Sequence, residues 1–579
     1  MGNHQFLGYW GYGSARELDA LLNRGAHIET QVTSLDEHLD TLVWNVAFMG
    51  STNGVGKTPA RQGIIAEFSV SGLTNDAWVR SENNILILGR EPFGKAPLYW
   101  CRQGQVIWFA SRLQLLLQVL EQPQINIAGL YGYSCFSYVP TPLTPVSDVF
   151  TVPAGTELIW HGDDGIISEQ KTQRIHEWCE STVQITDEAT AISELQTLLK
   201  DAIHSQITDL NDEPVGVFLS GGLDSSVVAA LLVQAGVKVR AYSLDFGMAG
   251  SEYPYAEQVA QFLNIPLVKV AATPREIQKV LIPTVQALDL PFGDGVTTSL
   301  YLLSQAASQE TRIIFNGEGG DQLFAGWTNK PLIAAGVYQA EHPCGQETFT
   351  QQYLRTFHRL WGYEAQLYQP ETRAQICNLH LEHWLDEALD PAFSTGFMHR
   401  LRRATLMLKG AQNIHPRATN LGVAHGLSVR SPFCDPAMTE WTFGLSGELF
   451  LQGSCEKYIL KRSVEGWLPP EIIWRQKRGM GVPLNSWCLN EFWHELGTWL
   501  NPGTLRAENC FIPHIATQII EGKLGASIQG RRIGESLWLL IMWQLWRSHV
   551  FGASSGKQSW DHPFWLSRNL WRTYKRWQA

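Results

Sequence analysis

The chain has 579 residues, more than a single hydrophobic core can serve, and calls for roughly two to four domains. Its 44% hydrophobic and 17% charged residues fit a folded globular protein rather than a disordered one. A formal net charge of −11 excludes general nucleic-acid binding, which needs clustered Lys and Arg to neutralise phosphate.

The first residues, MGNHQFLGYWGYG, hold no basic region followed by an apolar stretch, so no secretory signal is expected there. Short β-type runs at 64–70, 85–88 and 106–110, broken by turn signals, predict an all-β or α+β layer with few long helices. A turn at Gly162, Asp163, Asp164 and Gly165 precedes a polar, weakly periodic stretch to about residue 187, expected as a linker. From Ala189 helices alternate with single apolar strands. A helix over 192–207 carries Leu195, Leu198, Leu199 and Ala202 at helical spacing, and strands are expected at 215–219, 239–244 and 313–316. Such alternation predicts a parallel sheet covered by helices. Beyond Tyr353 the pattern is mostly helical. The apolar run through Leu537, Ile541, Trp543 and Trp546 is too short to span a bilayer and predicts a buried helix. The last stretch combines Trp560, Trp565, Trp571 and Trp577 with Arg568, Arg572, Lys575 and Arg576; it fits an amphipathic docking helix for a peptide or partner, but better a terminal helix packed on its domain with solvated charges. Nine cysteines without CxxC pairs point to reduced thiols and a cytoplasmic location.

Two loops carry the chemistry. The apolar strand ending at Leu219 runs into Ser220, Gly221, Gly222, Leu223, Asp224, Ser225 and Ser226, after which a helix continues. A strand, a glycine-rich turn and a helix start present free backbone N–H groups to an anion, and glycines let the backbone approach phosphate. The Ser225 and Ser226 hydroxyls can add hydrogen bonds or cap the helix. A carboxylate beside phosphate is repulsive unless a divalent cation intervenes, so Asp224 is expected as a magnesium ligand. No Lys follows as in a Walker A loop, and the variant suits cleavage of ATP to AMP and pyrophosphate. The second loop, residues 316–326, also follows an apolar strand. Ligands of doubly wound sheets bind beyond the carboxyl ends of the strands, so the two loops can share one crevice. Asp321 would then add a second magnesium contact and Glu318 would face the reacting centre. The group His380, Glu382 and His383 fits no standard zinc spacing and is expected to be a solvated helical face.

Together these loops resemble the synthetase domain of the asparagine synthetase family, whose second loop usually reads GEGSDELFGGY. The likeness continues through Ala241 to Phe246, Val423 to Asp435, and Glu456 to Arg462 with Trp474, Arg475, Gln476 and Lys477. It covers about residues 190–490. It implies ATP contacts at Leu219, Ser243 and Gly317 and places Lys457 near the α-phosphate. The N-terminal part resembles the family's class II glutaminase domain at 89–100, where GRDRFGIKPLYY would stand. The implied architecture is an Ntn-hydrolase-like β-rich sandwich at 1–165, a linker at 166–188, a doubly wound ATP pyrophosphatase domain with extra helices at 189–550, and a basic Trp-rich extension at 551–579. Position 2 is Gly where the family's glutaminase has its nucleophilic Cys, and no NGEIYN string is recognisable, so glutamine hydrolysis is not expected.

The resemblance implies attack of a substrate carboxylate on the α-phosphate of ATP, release of pyrophosphate, and displacement of AMP by an amine. Glu318 fits an acid/base role toward that amine, and magnesium with the first loop neutralises phosphate charge. Three amine sources stay open. They are an internal amine, as in lasso-peptide macrolactam cyclases and β-lactam synthetases; free ammonia acting on aspartate or a similar acid; and none, in a degenerate nucleotide-binding partner protein. Intact Asp224, Glu318, Asp321 and Lys457 weigh against the last. β-Lactam synthetases place Tyr where Glu318 stands, while Gly320 and Gln322 depart from the Ser and Glu of asparagine synthetases. Macrolactam formation on a lasso-type peptide is the favoured expectation, with a leader-binding protein and a protease as possible partners.

Overall fold

The computed structural model describes residues 5–11, 30–32, 40–46, 68–69, 76–82, 84–210, 212–247, 252–326, 349–357, 359–476, 479–524, 531–554 and 556–578. The chain divides into two compact units. The first comprises Met1–Leu130, Val139–Glu177 and Ala411–Asn420, and the second Tyr131–Tyr138, Trp178–Gly410 and Leu421–Ala579.

Strands of the first unit are β1 (Gln5–Gly11), β2 (Thr30–Val32), β3 (Asp40–Val46), β4 (Phe68–Ser69), β5 (Ala77–Glu82), β6 (Ile85–Arg90), β7 (Tyr99–Gln103), β8 (Val106–Ala110), β9 (Val149–Thr151), β10 (Thr156–Asp163), β11 (Ile166–Ile167) and β12 (Lys171–Arg174). They form two antiparallel sheets, β2-β3-β1-β8-β7-β9 and β11-β10-β6-β5-β4, with β12 also paired to β10. One core lies between them: Trp10 and Ile107 from one sheet meet Val79, Leu88 and Trp160 from the other. Alternation makes this possible, since β10 buries every second side chain. Of the run expected at 64–70 only β4 falls within the described residues.

The linker expectation needs correction at its start. Residues 166–174 hold β11 and β12, both antiparallel to β10. Gly165, at φ +81°, closes the hairpin and turns Ile167 into the core.

In the second unit β13 (Val215–Phe218), β14 (Val239–Asp245), β15 (Leu267–Ala271), β16 (Ile313–Phe315) and β17 (Ser428–Arg430) form a parallel sheet in the order β15-β14-β13-β16-β17. Its helices include α1 (Glu188–Ser205), α2 (Leu223–Gln234), α3 (Tyr253–Leu263), α4 (Pro274–Leu288), α5 (Val296–Ala307), α6 (Gly320–Leu323), α7 (Tyr458–Ser463), α8 (Arg531–His549) and α9 (Arg568–Gln578). Asp187 caps α1 by accepting from the Thr190 N–H at 2.8 Å, while Leu195, Leu199 and Ala202 face inward. Every residue from Leu223 to Leu232 of α2 is buried, which makes it the central helix. The first strand of this unit, β13, lies mid-sheet between β14 and β16. The strand order therefore reverses between β13 and β16, and ligands of doubly wound sheets bind outside the carboxyl ends of the strands at such a point.

α8 buries Leu537, Trp538, Ile541, Trp543 and Trp546, and no described helix is long and apolar enough to cross a membrane. α9 packs through Trp571, whose ring lies 5.3 Å from that of Trp493, while Trp577 is exposed. The 3-10 turn Leu381–Trp384 carries Glu382 and His383, and the His380 and His383 rings lie 5.3 Å apart.

Candidate active site

Both chemical loops leave the sheet at the reversal. β13 ends at Phe218, and Leu219 donates its N–H to the Tyr242 carbonyl at 2.9 Å, tying the first loop to β14 beside buried Ser243. Gly221 takes φ +71°, and a Cβ there would lie 2.5 Å from the backbone carbonyl carbon of Tyr255, so only glycine lets the loop pass the start of α3. Gly222 is the N-cap of α2 and has no side chain to offer. Neighbouring serines do that work. The Ser220 hydroxyl accepts from the Gly222 N–H at 3.2 Å, Ser225 Oγ accepts from the Ser220 N–H at 3.2 Å, and Ser226 Oγ donates to the Gly222 carbonyl at 2.8 Å. The hydroxyls thus shape the loop, and its backbone and the helix start supply the anion-binding potential.

The second loop lies directly against the first. A Cβ on Gly317 would stand 2.6 Å from the Ser225 amide nitrogen, and one on Gly320 would stand 2.5 Å from the Asp224 carboxyl carbon. Gly319, at φ +101°, turns the chain into the short helix α6, which carries Asp321. In this arrangement a side chain at position 320 would meet the Asp224 carboxyl.

Lys457 joins the loops. Its Nζ lies 2.6 and 2.5 Å from the two Asp224 carboxylate oxygens and 2.5 Å from Asp321 Oδ1. The lysine side chain is 2% exposed, Asp224 12% and Asp321 35%, so the cluster opens on the Asp321 side. Lys457 sits at φ +55°, a left-handed conformation rare for a side chain of this size, immediately before α7. Strain of this kind collects at functional sites. Asp224 thus has a cationic neighbour in the protein itself, and a divalent ion is not the sole remedy for its charge. The donor set nevertheless fits magnesium, because two hard carboxylates converge on one cation position.

Glu318, partly exposed, lies three residues before Asp321. The sequence-expected residues Ser220, Gly221, Gly222, Asp224, Ser225, Ser226, Gly317, Asp321 and Lys457 meet at one place, with Leu219 and Ser243 joined to it through the β13 and β14 ends. Sequence reasoning missed a second tier. The Arg475 guanidinium lies 4.1 Å from the Tyr255 ring centre and pairs with Glu252 at 2.9 Å, backing the start of α3 against Gly221. Arg475 is 220 positions from Tyr255 in the chain, and no local spacing signals such a contact.

A family model described as asparagine synthase matches residues 194–548, and one described as a glutamine amidotransferase domain matches 73–171. Asparagine synthetase [glutamine-hydrolyzing] 1 of Bacillus subtilis is 22% identical over 497 residues, covering 81% of this chain and 76% of that protein. A putative asparagine synthetase of Mycobacterium tuberculosis is 23% identical over 495 residues, covering 80% and 74%. Among solved structures, the NH3-dependent NAD synthetase from Campylobacter jejuni aligns with a TM-score of 0.18 at 16% identity, over 24% of this chain and 61% of that one.

Proposed function

The chain belongs to the asparagine synthase family, and we propose that it closes a macrolactam on a peptide without drawing its amine from glutamine. The coarser activity follows from the family: it is an ATP-dependent carbon–nitrogen ligase. In the first half-reaction a carboxylate oxygen of the substrate attacks the α-phosphorus, the bond to the bridging oxygen breaks, and pyrophosphate leaves. In the second the amine nitrogen attacks the acyl carbon, AMP leaves with the bonding pair, and the surplus amine proton goes to Glu318.

The observation that carries the adenylation step is the Lys457 ammonium between Asp224 and Asp321, beside a glycine-rich phosphate loop at the reversal of a parallel sheet. Lys457 brings positive charge to the α-phosphate as negative charge grows there. Asp224 and Asp321 would hold Mg2+, which neutralises phosphate charge when bound. Ser220, Gly221, Gly222, Ser225 and Ser226 form the pyrophosphate cradle, with Leu219, Ser243 and Gly317 completing the nucleotide contacts.

Support for a peptide substrate comes from Glu318 in place of the β-lactam synthetase Tyr, from Gly320 and Gln322, and from exposed Trp560, Trp565 and Trp577. A leader-binding protein and a protease would accompany such an enzyme. Against glutamine hydrolysis stands Gly2 in place of Cys.

The test is release of AMP and pyrophosphate from ATP with candidate peptides, with aspartate plus ammonia, and with aspartate plus glutamine. The peptide should drive turnover and lose one water on cyclisation. Asparagine formed from aspartate and ammonia at a comparable rate would overturn the peptide reading. Glutamate released from glutamine would overturn the reading that glutamine is not the amine source.

A further inference from the structure

Asn316 follows β16 and opens the loop that carries Glu318, and it is 4% exposed. Its side-chain oxygen accepts the Glu318 N–H at 3.0 Å and the Ser431 hydroxyl at 2.9 Å. The first bond is an Asx turn, in which a side chain two residues upstream replaces a backbone acceptor. The second fastens that turn to the segment following β17. Two donors fill the oxygen's acceptor capacity, and the Glu318 N–H fixes which end of the amide is oxygen. The Asn316 N–H also donates to the Arg430 carbonyl at 3.0 Å.

The backbone around Glu318 is held at three more points. Its carbonyl faces Cys434 Sγ at 3.9 Å, and a Cβ on the next residue, Gly319, would lie 3.0 Å from Phe433 Cβ. On the near side Gly317 abuts Ser225. Glu318 therefore hangs from a backbone whose direction is set by one buried amide and one hydroxyl. Asn316 Nδ2, by contrast, is buried with no hydrogen-bond partner among the described residues. The oxygen half of the amide carries the interactions.

We infer that Asn316, with Ser431, is a positioning residue that aims Glu318 at the incoming amine. The inference rests on the acid/base role proposed for Glu318. It separates the two half-reactions, because adenylation needs Lys457 and the phosphate loop while aminolysis needs the aim of Glu318.

Asn316→Ala, Asn316→Asp and Ser431→Ala would be compared with Glu318→Gln, using the peptide that supports AMP release. Amide formation would be measured alongside hydroxamate formation with hydroxylamine, a nucleophile largely unprotonated at neutral pH that needs little general-base help. Asn316→Ala should slow amide formation by about 10-fold or more, in kcat rather than KM for ATP, with hydroxamate formation within about 2-fold of the parent. Asn316→Asp keeps an acceptor oxygen but replaces the unpartnered N–H2 by an oxygen that brings negative charge two residues from Glu318, so it should recover the loss only in part. Ser431→Ala should fall between. Equal losses in both assays, or no loss, would overturn the inference. If Asn316→Ala does not fold, the Ser431 variant decides it by the same criteria. Unchanged amide formation in Glu318→Gln would instead overturn the role of Glu318 itself. A loss there without one in the Asn316 variants would overturn the positioning role alone.

Discussion

Both units bury charged side chains in the loop after a strand, but they satisfy those charges in opposite ways. At the end of β6 the Arg90 guanidinium donates to the carbonyls of Ala96, Val152 and Gly94, at 2.7, 3.1 and 2.5 Å. Glu91 accepts from the backbone N–H groups of Phe93 and Lys95 at 2.9 and 2.6 Å, and Lys95 pairs with Asp76 at 2.7 Å. Burial pulls Arg90 below the ordinary guanidinium range and pushes the Glu91 carboxyl up. At the ends of β13 and β16 the partners are instead side chains, Lys457 with Asp224 and Asp321. Backbone partners cannot be exchanged without unfolding the loop. Side-chain partners can be traded for phosphate or a cation as a ligand enters. The first arrangement holds a shape, and the second leaves its charges in reach of other partners.

The largest effect should come from breaking the exchangeable cluster. Lys457→Ala should lower kcat/KM for adenylation by about 10²–10³-fold, the scale seen when one preorganised charge stabiliser is removed. Pyrophosphate–ATP exchange in the presence of the peptide would measure it. Exchange at a tenth of the parental rate or better would remove Lys457 from the chemistry. Next, Gly317→Ala tests the contact between the two loops. A methyl group 2.6 Å from the Ser225 nitrogen must move backbone, so KM for ATP should rise about 10-fold or more. An unchanged KM would show that the loops are free to separate.

The contrast between the units was only half legible in the sequence. SGGLDSS announced its own geometry because strand, glycines and helix start are contiguous, and the 239–244 and 313–316 runs became β14 and β16. The meeting of Lys457 with Asp224 spans 233 positions and came from family likeness, not from spacing. Asn316 looked like an ordinary strand-end residue, because its partner Ser431 is 115 positions away. The 166–174 strands were hidden for another reason: β12 is polar and exposed at most of its positions, so it lacks the alternation that marks a half-buried strand.

A change in the backbone-satisfied loop should cost stability rather than chemistry. Arg90→Met leaves three carbonyls without their donor, for roughly 3–5 kcal/mol at about 1–3 kcal/mol per unsatisfied group after partial relaxation. Thermal and urea unfolding should register that loss while KM for ATP stays within about 2-fold. A large shift in KM would mean that the loop does more than hold a shape.

The smallest effect tests whether the two units nonetheless share one weakness. Each buries a histidine whose pKa is lowered to about 4, His415 in the first unit and His399 in the second. Burial is the main cause for both. Nearby Lys95, Arg417 and Arg90 add to it at His415, and Arg402 does so at His399, whose Nδ1 faces the Arg402 guanidinium at 2.9 Å. A second proton on His399 would set two donors against each other, since its Nε2 already meets the Leu445 carbonyl at 2.8 Å. Between pH 6.5 and 4 the unfolded chain therefore binds two protons that the folded chain refuses. Stability is fully present above the ordinary histidine pKa and falls as pH drops toward 4, at about 1.4 kcal/mol per pH unit for each histidine. Replacing His415 by Gln should remove one proton's worth of that slope in urea unfolding measured from pH 7 to pH 4.5. An unaltered slope would mean that His415 takes up its proton as readily in the folded chain as in the unfolded one, and that burial of its ring does not weaken the first unit in acid.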